Sequence, residues 1–163
     1  MSKTISIEWD EGRFGVRTVG VMLDGKNRVL LYHLEGMDFW VFPGGGITPF
    51  VETAEEAIKR NFIEKAGFKI EVHRLLWILE LNFVDEGKMV HGIGFYFLVS
   101  PKEAHGVWEQ VEFVGQKNLD RNRARVFKWF DISKLDEANL HPTNFRELLK
   151  EIPEHTVHVV HND

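Results

Sequence analysis

The sequence predicts an α/β or α+β domain built on a mixed sheet, and three observations carry that prediction. Strand-patterned segments stand before, between and after two helix signals, an order that spreads helices over a sheet. The chain has 163 residues, 44% of them hydrophobic, which suits one compact core and leaves too little for two. Thirteen Phe and five Trp supply bulk for that core. We therefore expect residues 1–163 to form a single domain, with a strand order that pattern alone does not set.

After a polar start, VRTVGVML at 16–23 reads as a strand, DGKN at 24–27 as a tight turn, and RVLLYH at 28–33 as the returning strand. LEGMD resets the chain before FWVF at 39–42. Pro43 and the three glycines after it favour a loop, because Pro lacks a donor and Gly tolerates unusual backbone angles. Thr53 and Glu56 have capping-box spacing, which predicts a helix from Thr53 to about Ala66 with Gly67 as its stop. On a helical wheel Ile58, Phe62 and Ala66 share an apolar side, while Ala57, Arg60, Asn61 and Glu64 gather near the other.

Residues 68–84 and 89–100 read as two long strands joined by DEGK at 85–88, a strongly twisted antiparallel ribbon. A short strand is expected within HGVWEQVEFVG, a loop over QKNLDRNR, and a strand over RVFKWFDI at 125–132. HPTNFRELLKEI at 141–152 signals a second helix ended by Pro153, and TVHVV at 156–160 a short final strand.

Charge and composition exclude several classes of function. Against 25 acidic residues stand 20 basic ones, a formal net charge of -5, which disfavours general nucleic-acid or anionic-membrane binding. The absence of Cys removes disulfides, thiol chemistry and thiolate metal sites. The amino terminus lacks a signal-peptide core, and the longest apolar run, GIGFYFLV at 92–99, is too short to span a bilayer. A cytoplasmic protein is expected.

The segment from Gly46 to Phe68 resembles the Nudix (MutT-like) signature. Gly46 and Glu52 keep the first spacing and Arg60 the arginine position. Phe62 holds an apolar position, Glu64 the first member of the usual glutamate pair, Gly67 the helix-ending glycine and Phe68 the last apolar site. RLLWILELNFVDEGKMVHGIGFYFLV and FKWFDISKLDEANLHPTNFRELLKEIP extend the resemblance over most of residues 16–160. It implies an α/β/α sandwich with a mixed sheet, and hydrolysis of a nucleoside diphosphate linked to another group, with Mg²⁺ or Mn²⁺. Such hard cations take oxygen ligands, neutralise phosphate and activate water.

The departures fall on acidic positions. Asn61 stands where the family has the glutamate after the arginine, and Lys65 where it has the second glutamate of the pair. Gly92 follows His91 where relatives often carry His-Glu. The resemblance leaves Glu64 as the main catalytic and metal candidate and Glu52 as a weaker metal candidate, with Arg60 the second catalytic candidate, acting more as organiser of the loop and Glu52 than as direct catalyst. Metal binding is expected to be weak and assisted by the ligand's own phosphate oxygens. Gly44, Gly45 and Gly46 let backbone approach a substrate, and Trp40, Phe39 and Tyr32 offer faces for a planar group, with core packing the competing role. Lys65 is either a phosphate contact or an ordinary surface lysine.

His91, His105, His141 and His155 have no HExxH-like spacing, and His155, His158 and His161 fit a solvent-facing terminal strand. The basic run of Arg121, Arg123 and Arg125, balanced by Asp120, is either a phosphate attractor or a polar loop. Two classes of function stay open: a metal-dependent hydrolase of a diphosphate-linked small molecule, and a non-catalytic ligand-binding or protein-interaction domain on the same scaffold. The aromatic ribbon at 75–99 either covers its own sheet or pairs two copies as a homodimer.

Overall fold

The computed structural model of the protein describes residues 3–103, 106–119 and 121–163, so His105 and Asp120 lie outside the described residues. Six strands form a mixed sheet. β1 (Ser6–Glu8) runs antiparallel to β2 (Gly12–Met22), which lies parallel to β6 (Lys88–Pro101). β6 pairs antiparallel with β5 (Ile70–Asp85), and β9 (Val157–Asn162) joins the far edge parallel to β5. β4 (Gly44–Gly46) pairs antiparallel with β2. A second, antiparallel sheet orders β3 (Arg28–Leu34), β8 (Arg125–Asp131) and β7 (Glu112–Val114).

The two-residue period of a strand sends β2 side chains into two cores. Met22 joins Ile58 and Phe62 of helix α1 (Ala54–Lys65), with Leu30, Phe127 and Trp129 from the second sheet. Val19 and Val21 join the opposite core, where Trp77 and Tyr96 pack on Phe145 of the short helix α2 (Phe145–Leu148). Helices thus flank the mixed sheet on both faces, which is the α/β/α sandwich. Irregularities in β5 between Val72 and Arg74 and between Leu75 and Trp77 bend the long ribbon. Among the described residues no helix is long and apolar enough to cross a membrane.

The structure corrects two expectations and adds pairings at two segments left unassigned. Ser6–Glu8 in the polar start is a strand, because Ser6, Ile7 and Glu8 pair with Gly15, Phe14 and Arg13. Residues 39–42 make only isolated bridges, Val41 to Tyr32 and Trp40 to Leu140. Gly44–Gly46 is a strand where a loop was expected, since side-chain-free residues lie flush against β2: a Cβ on Gly44 would sit 2.3 Å from the Thr18 carbonyl oxygen. The helix expected over 141–152 is helical only at Phe145–Leu148. Its first turns close by i+3 bonds from Phe145 and Arg146 to the Pro142 and Thr143 carbonyls, and a 3-10 helix (Ile132–Glu137) precedes it.

Candidate functional site

Helix α1 opens on the expected capping box: Glu56 N donates to Thr53 Oγ1 at 3.2 Å and Thr53 N to Glu56 Oε2 at 2.8 Å. It closes where Ala66 and Gly67 N–H groups both reach the Phe62 carbonyl, with Gly67 at φ +87°. Between these ends the helix lies directly on β4. A Cβ on Gly45 would meet Asn61 Oδ1 at 2.2 Å and Lys65 Nζ at 2.7 Å, so a side chain there would displace both groups.

That contact overturns part of the wheel. Ala57 and Asn61, expected on a polar side, are buried at 0% and 3% exposure, because β4 covers that side. The Asn61 amide nitrogen donates to the Ala57 carbonyl at 2.8 Å and to the Gly46 carbonyl at 3.4 Å. An amide satisfied in this way replaces a carboxylate whose charge would be costly to bury.

Arg60 joins the chain entering the helix to its middle. Its Nε donates to Glu52 Oε2 at 2.8 Å and its Nη2 to Glu52 Oε1 at 2.6 Å, a two-pronged pair. Nη2 also reaches the Gly46 carbonyl at 3.2 Å, and Nη1 donates to Glu64 Oε2 at 3.0 Å. Thr48 N donates to Glu52 Oε1 at 2.9 Å. The Arg60 hydrogen bonds above all, then the Thr48 bonds and the Arg60 charge, hold the Glu52 carboxyl down at about 2 against partial burial.

Lys65, half-buried at the helix end, donates from Nζ to the Gly44 carbonyl at 2.5 Å. Burial, then the charges of Arg17, Arg125 and Arg60, push its pKa down to about 7, opposed by Glu64. Arg125 Nη1 donates to the Gln116 carbonyl at 3.1 Å, and Gln116 N donates to the Lys65 carbonyl at 2.7 Å. Arg17 stands on β2 opposite Gly46 of β4 and Gly94 of β6, on the face of Val19 and Val21 rather than that of α1, and the side chains of Thr4 and Tyr96 fill the space over the two glycines.

These residues do not fit a resident divalent ion. Arg60 and Thr48 take both Glu52 oxygens, and Arg60 takes one oxygen of Glu64. Asn61 is satisfied by backbone, Gly92 brings no side chain, and the Lys65 amine occupies the Gly44 carbonyl of β4. Among the described residues no group of three or more His, Cys, Asp or Glu is arranged to hold a metal ion. The Mg²⁺ or Mn²⁺ expectation therefore rests on the tendency of the fold's relatives, not on a site.

The remaining candidates are dispersed. Trp40 stacks on His33 with ring centroids 4.0 Å apart and meets Phe130 edge-on at 4.8 Å. Phe39 packs edge-on against His141, Tyr32 stacks on Phe127, and Phe42 is core. His91 Nε2 lies 3.3 Å from Glu80 Oε2, and His158 Nε2 lies 3.3 Å from Glu80 Oε1. His161 meets Thr143 and Asp163, and His155 is exposed.

A mixed sheet covered on both faces, with a glycine-rich strand lying under one helix, defines an α/β/α sandwich. The NUDIX domain model matches residues 13–152, and the chain belongs to the Nudix family. A crystal structure titled UDP-X diphosphatase is similar at TM-score 0.60 and 20% identity; the likeness covers 89% of this chain and 66% of that one. An ADP-ribose pyrophosphatase from Streptococcus suis gives TM-score 0.57 and 16% identity, over 90% of this chain and 98% of that one. A Nudix hydrolase from Nitrosomonas europaea gives TM-score 0.62 and 14% identity, over 96% and 82%. At such identities the likeness is one of fold. Curated proteins yield no significant match.

Proposed function

We propose that the chain is a Nudix-fold domain that binds a diphosphate-linked small molecule at β4 and the end of α1 without turning it over. The observation that carries this reading is Lys65: an amine, not a carboxylate, sits on the Gly44 carbonyl. The ligand class follows the fold's relatives, among them a UDP-X diphosphatase and an ADP-ribose pyrophosphatase. Turnover by the family's route calls for carboxylates that gather metal and activate water. Here Glu52 and Glu64 both answer to Arg60.

One observation favours the hydrolase reading. The Glu64 side chain is 57% exposed and offers Oε1 outside the Arg60 pair. Product release from a panel of diphosphate compounds, with Mg²⁺ or Mn²⁺ and with Glu64→Gln as control, separates the two. The binding reading expects ligand binding with no release that depends on Glu64. Turnover that drops about a hundredfold or more in folded Glu64→Gln, the scale of a lost essential group, would establish the hydrolase instead.

A further inference from the structure

We infer that Phe50 is held out of the protein as a stacking face for a planar base carried by the diphosphate-linked ligand. This rests on the binding reading above and names the group that meets the ligand beyond its phosphates.

Phe50 stands where a phenylalanine loses on two counts. Its φ is +66°, a left-handed backbone that a bulky side chain adopts only under strain. It follows Pro49 in a tight turn, and a turn with Pro before a positive φ ordinarily carries Gly or Asn at that place. The residue is also fully exposed, at 106%, and Val51 beside it is 77% exposed. Neither burial nor a relaxed backbone accounts for an aromatic ring here. Such strain persists only where the surroundings impose it, and it gathers at ligand sites.

The surroundings do impose it. Ile5 N donates to the Ile47 carbonyl at 2.9 Å, which fastens the turn to the chain just before β1. Thr48 N donates to Glu52 Oε1 at 2.9 Å and Glu52 N to the Thr48 carbonyl at 3.4 Å, so the turn is closed across its base. Glu52 is itself held by Arg60 of α1, whose Nη2 also reaches the Gly46 carbonyl at the end of β4. The ring is thus presented on a stiff turn joining β4 to α1, the two elements that bracket the proposed site. A group fixed in advance loses little freedom on meeting its ligand. An apolar ring reads the flat face of a base and not its polar edge, so purine and pyrimidine both qualify.

Calorimetric titration of the parent and of Phe50→Asn with ADP and with inorganic pyrophosphate, beside thermal melts, tests this role. Asn tolerates a positive φ and so keeps the turn. The variant should melt no lower than the parent. It should bind ADP about tenfold more weakly, the scale of one base–aromatic stack, with pyrophosphate unchanged. Phe50→Trp should keep ADP binding, and its added fluorescence should be quenched by ADP and not by pyrophosphate. ADP binding that is unchanged in Phe50→Asn, or weakened no more than that of pyrophosphate, overturns the stack while keeping the binding reading. So does ADP left unbound where pyrophosphate binds, and so does a lower melting temperature, which would place the ring against the protein. No binding of either probe by the parent, with or without Mg²⁺, overturns both.

Discussion

Arg60 distributes its guanidinium over Glu52, Glu64 and the Gly46 carbonyl, so one side chain fastens the residues before the helix, its middle and β4. Glu52 is largely enclosed and Arg60 is 30% exposed, which places their pair between surface and buried cases. Arg60→Ala should cost about 2 kcal/mol of stability, since it strands a nearly buried carboxylate. Urea denaturation measures this, and a change within about 0.5 kcal/mol would mean that the pair holds nothing. The same pair sets an acid limit. The Glu52 carboxyl falls from 4.5 to about 2 on folding, so its contribution is complete above about 4.5 and is lost as pH drops through about 2. Acid melts of Arg60→Ala should lack that part of the slope. The arginine and both glutamates were legible as spacing. The direction of Lys65 was not, because a sequence lists a lysine without the carbonyl it points to.

At the scale of the element, α1 shows what a helical wheel omits. Its caps were readable because they are local: Thr53, Glu56 and Gly67 act within a few residues of the helix. Its second buried side was not, since that burial comes from β4, a strand with no side chains and hence no hydrophobic signal. Asn61 and Lys65 are consequently fitted to the glycine strand and are not bare losses of acid. Restoring acid with Asn61→Glu, Lys65→Glu and Gly92→Glu together should reverse the character of the site. We expect lower apo stability from crowded carboxylates, recovered on adding Mg²⁺ or Mn²⁺. Thermal melts with and without ion check this. A triple variant as stable as the parent and indifferent to metal would show that these positions do not converge.

For the whole molecule, the sheet-forming segments were legible from period-two patterning, and the β5–β6 ribbon from its length and the turn at 85–88. The order was not. β2 joins β6 in parallel, Gly12 opposite Met89, and β9 joins β5 in parallel, Trp77 opposite Val157; neither pairing has a local turn to announce it. The short α2 was over-read because an amphipathic run between two prolines was given more turns than Phe145–Leu148 supplies.

Those two parallel pairings also set an order of events during folding. The β5–β6 hairpin closes through a short turn, whereas β2 and β9 dock on its two edges only after long stretches of intervening chain are gathered in. Pulse-labelled hydrogen exchange should find β5 and β6 amides protected before those of β9, and simultaneous protection of all three would refute that sequence. Until β2 and β9 arrive, the longest ribbon in the molecule presents two unpaired edges rich in aromatic and aliphatic side chains. The yield of refolding should accordingly fall with protein concentration, because another chain's ribbon competes for the same edges.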